Sequence, residues 1–197
     1  METIFSDFES FKNIYKPQRL ISQFYNLNEL SFEDSSNSNW ISQKNNVFEF
    51  KRQGYKLTVF DTAAYILKKK GAMTTMKLQK LLYYSQAWSL VWEDVPLFEE
   101  KIEAWTNGPV IRELFYFHRG QFEISNITVG NSDLLDEKQR DTVDSVIDFY
   151  GDRTTQWLIE LTHTEDPWKS ARAGIPISER SSNEITLSSL YEYYSKL

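Results

Sequence analysis

The chain has 197 residues, 41% hydrophobic and 25% charged, with thirteen Phe, eleven Tyr and six Trp, which suits one globular domain or one domain with an appendage. It contains no cysteine, so a disulfide framework, a thiolate metal site and a thiol nucleophile are excluded. Its formal charge of -6 disfavours a nucleic-acid partner, because phosphates demand basic neutralisation.

The N-terminus, Met1-Glu-Thr-Ile-Phe-Ser-Asp7, is acidic where a secretory signal would be basic and then apolar. No apolar run approaches the roughly 18 residues that a membrane span needs. A cytoplasmic protein without a membrane partner is expected. Ile4, Phe5, Phe8, Phe11, Ile14 and Tyr15 recur at helical spacing. Pro17 interrupts that run, and Leu20, Ile21, Phe24, Tyr25 and Leu27 predict a second short helix. Two short helices cannot bury so dense an apolar set alone. The face they share must dock on the main domain, on a second copy or on a partner. A partner role makes Phe5, Phe8, Phe11, Tyr15, Phe24 and Tyr25 candidate binding residues, because aromatic clusters supply interface hot spots.

Asp34-Ser-Ser-Asn-Ser-Asn39 is polar and without hydrophobic period, and marks a linker. Val47-Phe-Glu-Phe50 and Tyr55-Lys-Leu-Thr58 alternate around Gln53-Gly54 and predict a hairpin. Residues 1–56 thus form an N-terminal appendage and residues 57–197 the main domain.

From residue 58 the helical signal strengthens. Phe60, Ala63, Ala64 and Leu67 make one stripe, stopped by Gly71. Thr74 or Thr75 caps the next helix, whose stripe is Leu78, Leu81, Leu82, Ser85, Trp88, Ser89 and Trp92. Pro96-Leu-Phe98 and Ile102-Glu-Ala-Trp105 break the period as extended or irregular connections. Gly108-Pro109 predicts a new helix with Pro at its first position, running to Gly120. Phe122-Glu-Ile124 and Ile127-Thr-Val129 read as short strands. A longer helix fits residues 134–150, ended by Gly151, and Trp157, Leu158 and Leu161 mark another. Asp166-Pro167-Trp168 opens a short helix as N-cap, Pro at N1 and aromatic anchor, stopping near Gly174. Thr186 caps the last, with Leu187, Leu190, Tyr191, Tyr194 and Leu197 inward. The fold class is mainly α, a compact helical domain with a minor β element and an N-terminal helical appendage.

Charge is uneven along this order. Residues 58–89 carry five Lys against Asp61, a balance of +4, and residues 90–141 hold eleven acids and five bases, a balance of -6. Ordinary solvated helix faces account for this, and so does a pair of opposed surfaces that steer a charged partner.

Catalytic motifs are thin. His118 and His163 are the two histidines, and no HExxH, GxSxG or P-loop pattern occurs. His118 ends a predicted helix, where a cation suits the dipole. His163 has Glu165 and Asp166 close in sequence, the one cluster that could orient an imidazole, but no nucleophile is marked beside it. The favoured reading of His163 is a loop histidine that satisfies backbone carbonyls near a cap, followed by a partner contact. Two histidines 45 positions apart without patterned carboxylates make a weak metal signal. No cofactor, no metal site and no catalytic residue is expected.

Three segments in order carry a family resemblance. The first is Thr75-Met-Lys-Leu-Gln-Lys-Leu-Leu-Tyr-Tyr84, preceded by Asp61-Thr-Ala-Ala-Tyr-Ile-Leu67. The second is Ile102-Glu-Ala-Trp-Thr-Asn-Gly-Pro-Val110, and the third His163-Thr-Glu-Asp-Pro-Trp-Lys-Ser-Ala-Arg172. Together they resemble the Panacea (SocA-like) antitoxin family, first noted in phage-associated proteins, over roughly residues 57–195. The resemblance implies a compact helical domain that serves as the antitoxin of a type II-like toxin–antitoxin pair. It also implies a cognate protein toxin as partner, neutralised by direct binding and without catalysis. The alternative it carries is a proteolytic adaptor that delivers the toxin to a cellular protease. A DNA-binding autorepressor has only the basic 68–80 stretch in its favour. The motif residues read as scaffold. They are Lys77, Leu78, Gln79, Lys80, Leu81, Tyr83 and Tyr84 in the first motif. The second supplies Trp105, Gly108, Pro109 and Val110, and the third His163, Pro167 and Trp168.

Overall fold

A computed structural model of the chain describes residues 42–44, 47–49 and 56–197. The aromatic set at Phe5, Phe8, Phe11, Tyr15, Phe24 and Tyr25 lies outside the described residues, as does the N-terminal helical appendage it was read to form. Among the described residues the fold is mainly α, with seven α-helices and short antiparallel strand pairs.

Helix α1 (Val59–Lys70) starts at a capping box. The Thr58 hydroxyl accepts from the Asp61 amide and the Asp61 carboxylate accepts from the Thr58 amide, an arrangement that contributes about 1 kcal/mol. Gly71, at φ +79°, ends it. Thr74 caps α2 (Thr75–Glu93) by accepting from the Lys77 amide at 3.2 Å. Every residue of α2 from Leu78 to Leu90 is buried. It is the axis of the fold, a helix wrapped on all sides rather than one with a single apolar stripe. Around it pack α4 (Glu137–Tyr150), α5 (Thr155–Thr164) and α7 (Leu187–Tyr194), together with α1. Two short helices, α3 (Arg112–His118) and α6 (Asp166–Ala171), complete the shell.

The β part departs from the sequence reading in three places. The strand β2 (Val47–Glu49) pairs with β1 (Ser42–Lys44), and the predicted partner segment ends at Thr58, which is the α1 cap. Gly108-Pro109 does not open a helix. It belongs to β5 (Gly108–Ile111), which pairs with β4 (Ile102–Trp105) across the two residues Thr106 and Asn107, and α3 begins only at Arg112. Pro109 fits because β5 is an edge strand, where a missing N–H breaks no ladder. On the other edge of β4 lies β7 (Glu184–Ile185). The pair β3 (Met73–Thr74) and β6 (Glu123–Ile124) ties the start of α2 to the segment after α3. Ile127–Val129 is not a strand but loop and turn, with Ile127 buried as an anchor.

The 134–150 helix begins at Glu137, capped by Asp136, after a 3-10 turn at Ser132–Leu134. For α6 the N-cap is Glu165 rather than Asp166, with Pro167 in the first turn. Thr186 caps α7 as the sequence indicates, and Leu190 and Tyr194 are its buried residues, with Leu187, Tyr191 and Leu197 half-buried.

Candidate functional site

The three motif segments, far apart in sequence, meet around α2. A helix buried on all sides that carries polar side chains must satisfy them internally, and α2 does so by holding other segments by their backbones. Gln79 is the clearest case: its Oε1 accepts from the Ile111 amide at 2.7 Å, and its Nε2 donates to the Ile111 carbonyl at 3.2 Å. Two turns on, the Gln86 Oε1 accepts from the Leu97 and Phe98 amides and its Nε2 donates to the Phe98 carbonyl. Ser89 donates to the Val95 carbonyl. The connection after α2 is therefore fixed by α2 itself.

Lys80 is fully buried, and its Nζ donates to the Pro109 carbonyl at 2.9 Å. Burial pushes this amine down to about 7. Gly108 is needed beside it: its φ is +96°, and a Cβ there would lie 2.8 Å from both Lys80 Cε and Thr162 Oγ1. Pro109, Val110 and Ile111 are buried behind it. Lys77 differs from the motif residues that follow it in being half-exposed, with desolvation lowering its amine.

Glu165, at the α5–α6 junction, is 2% exposed and turned into a cluster of tyrosines. Tyr194, Tyr84 and Tyr83 hydroxyls donate to its carboxylate at 2.8, 3.2 and 3.4 Å, and the Tyr194 and Tyr83 hydroxyls lie 3.2 Å apart. Three hydroxyl protons cannot serve four contacts, whereas a protonated carboxyl supplies the fourth. Desolvation acts the same way, pushing the carboxyl up to about 8 against the pull of the tyrosine hydrogen bonds. Tyr84 also stacks on Tyr150 at 4.0 Å, and the Trp88 indole donates to the Tyr150 hydroxyl. Leu78, Leu81 and Leu82 fill the core beside this network.

The third motif closes onto the second. The Trp168 indole donates to the Trp105 carbonyl at 2.9 Å, with Pro167 buried next to it. Arg172, 4% exposed, donates to the carbonyls of Ala104, Pro176 and Glu179 and lies 5.3 Å from the Trp168 ring centroid. His163 sits in the last turn of α5 and stacks on Trp168 at 4.1 Å. Burial first, then the Lys80 charge, lower its imidazole.

The His163, Glu165 and Asp166 cluster therefore does not converge: the first stacks on Trp168, the second binds tyrosines, and Asp166 pairs with Lys169 at 2.7 Å. His118 is also not the cation that its helix end suggested. It is 4% exposed, burial lowers its imidazole, and its Nε2 lies 3.2 Å from the Gln79 amide nitrogen. Since that nitrogen only donates, His118 Nε2 must accept. Among the described residues no group of three or more His, Cys, Asp or Glu could hold a metal ion, and no helix is long and apolar enough to cross a membrane.

The basic stretch is largely paired, but only Lys68 meets the acidic stretch of residues 90–141, through Asp133; Asp144 and Asp152 lie beyond it. Lys68, Lys69 and Lys70 pair with Asp133, Asp144 and Asp152 at 2.7–2.9 Å, so the 68–80 segment offers little free positive surface. A different basic feature emerges on the other side of α2: a cleft of about 750 Å³ over Gln79 and Lys80, walled by Trp105, Phe115, Arg112 and Arg119.

Residues 78–169 match the family model described as antitoxin SocA-like, Panacea domain. No curated protein matches the chain, and no solved structure does. The matched span contains α2 from Leu78 onward, the β4–β5 hairpin and the Glu165–Trp168 corner, and it supports an antitoxin role, with a toxin as the general class of partner.

Proposed function

Because the chain carries an antitoxin SocA-like, Panacea domain over residues 78–169, we propose that it is the antitoxin of a type II-like pair. In this reading it binds a cognate protein toxin directly and blocks the toxin's active surface in the cytoplasm. The family match is the observation that carries the reading. The placement of the motif residues supports it: Gln79, Lys80, Tyr83, Tyr84, Gly108 and Trp168 are spent on internal hydrogen bonds and packing. We assign these residues a scaffold role. A frame held this firmly leaves exposed loops free to vary with the partner. Residues 57–197 form the antitoxin domain in this reading, and residues 1–56 a partner-specific appendage whose aromatic residues contribute to the interface. Neutralisation by contact requires surface complementarity and no reacting group, so no enzymatic activity is assigned.

The test is co-expression with the protein encoded by the adjacent reading frame, in hosts with and without their major cytoplasmic proteases. Direct neutralisation restores growth in both hosts. Rescue confined to the protease-containing host identifies a proteolytic adaptor instead, and toxicity undiminished in both hosts overturns the antitoxin reading.

A further inference from the structure

The cleft above α2 has a composition unlike the rest of the chain. Three arginines line it, Arg112, Arg119 and Arg180, with the Lys80 amine beneath them, and no Asp or Glu does, in a protein whose formal charge is -6. Arg112 is partly neutralised by Glu103 at 2.8 Å. Arg119 and Arg180 are exposed, and neither has an ion-pair partner among the described residues. At the floor, the buried Lys80 amine donates to the Pro109 carbonyl and keeps at least one further N–H proton.

The walls are aromatic. Trp105 and Phe115 pack edge to face at 4.8 Å, and Tyr116 beside them is 61% exposed. Arg beside an exposed Tyr and half-buried Phe and Trp is the composition of a protein-binding hot spot.

We infer that this cleft receives an acidic, aromatic- or leucine-bearing segment of the partner protein, with Arg119 and Arg180 taking its carboxylates and Phe115 and Tyr116 covering its apolar side chains. This inference rests on the antitoxin reading for the identity of the partner, but not for the chemistry of the cleft. A peptide fits better than a nucleic acid. The cations are confined to one cleft instead of following a track along which a strand could run, and the three lysines at the end of α1 are each paired with aspartate.

The experiment uses the full chain and a fluorescein-labelled peptide of about twelve residues that alternates Asp or Glu with Leu or Phe, followed by fluorescence anisotropy. The peptide should bind, and binding should weaken steeply between about 50 and 200 mM salt, as screening requires. Replacing both arginines together (Arg119→Glu with Arg180→Glu) should raise Kd at least about tenfold, because reversed charges both lose attraction and repel. Lys138→Glu, at an exposed site on α4 away from the cleft, should leave Kd within about twofold. Melting curves of both variants should match the wild type, since the replaced side chains are exposed. Failure of the peptide to bind, equal binding by the double variant, or tighter binding of an oligothymidylate of similar length would each overturn the inference. Toxin rescue in the same preparations separates the two readings. A chain that rescues growth but ignores the peptide sinks only the cleft, and one that binds the peptide but rescues nothing sinks only the antitoxin assignment.

Discussion

Replacing Glu165 by Gln keeps the shape of a buried side chain and removes its titration. In the folded protein burial holds this carboxyl neutral up to about 8, against an ordinary value of 4.5. Between those two values the unfolded chain has released the proton and the folded chain has kept it. Wild-type stability therefore falls as pH rises across that window. The contribution of Glu165 is complete below about pH 4.5 and gone above about pH 8, and it amounts to at most about 5 kcal/mol at about 1.4 kcal/mol per unit. The Gln variant can still accept from the tyrosines through Oε1, and it has nothing to titrate. Urea unfolding of both proteins at intervals from about pH 5 to about pH 9 isolates the term, because every other group titrates in both and cancels. The stability difference should move toward Glu165→Gln by about 1.4 kcal/mol per pH unit and level off above about pH 8. A difference that stays flat would mean that the carboxyl ionises normally among Tyr83, Tyr84 and Tyr194, and the proton bookkeeping argued for this cluster would be wrong.

Lys80→Met should behave with the opposite sign. Burial lowers this amine from 10.5 to about 7, so the wild type gains stability as pH rises through that interval, and the variant should fall behind by about 1.4 kcal/mol per unit over it, as read by urea unfolding; a constant offset contradicts this. Gly108→Ala forces a Cβ against Lys80 and Thr162 at a positive φ and should cost about 1–3 kcal/mol. Unchanged thermal unfolding would show that the hairpin shifts freely. Trp168→Ala removes a buried indole and its bond to the Trp105 carbonyl and should lower Tm by an amount matching about 3–5 kcal/mol. Wild-type stability with lost toxin binding would instead make Trp168 a contact residue. A chain that begins near Gln53 should fold but bind the toxin more weakly in calorimetry, and equal affinity would reduce residues 1–56 to an accessory.

Local signals in the sequence identify most of the helices. Thr74 and Thr186 cap α2 and α7, and Gly71 ends α1, because caps and stops act over three or four residues. Thr58, which reads as the end of a strand, is instead the cap of α1. The stripe of α2 is legible, but not that its other faces are buried too. That follows from α1, α4, α5 and α7 surrounding it, which no single window contains. Gly108-Pro109 misleads for the same reason. Pro at a helix start and Pro on an edge strand look alike locally, and the choice is made by pairing with Ile102–Trp105 and by Gln79 from α2 holding Ile111. Glu165 reads in sequence as a neighbour of His163, yet its partners Tyr83, Tyr84 and Tyr194 lie 82, 81 and 29 positions away. Gln86 and Arg172 are missed as structural anchors. One signal could have found Gln86: it stands one heptad after Gln79 in a helix too apolar to leave either solvated.

Mixing the purified full chain with its purified toxin, with no protease present, tests the central claim most directly. Calorimetry and a toxin activity assay on the same mixture should give saturable binding at fixed stoichiometry, with toxin activity lost in proportion to the complex formed. A toxin that stays fully active beside a saturating amount of this chain would contradict neutralisation by direct contact.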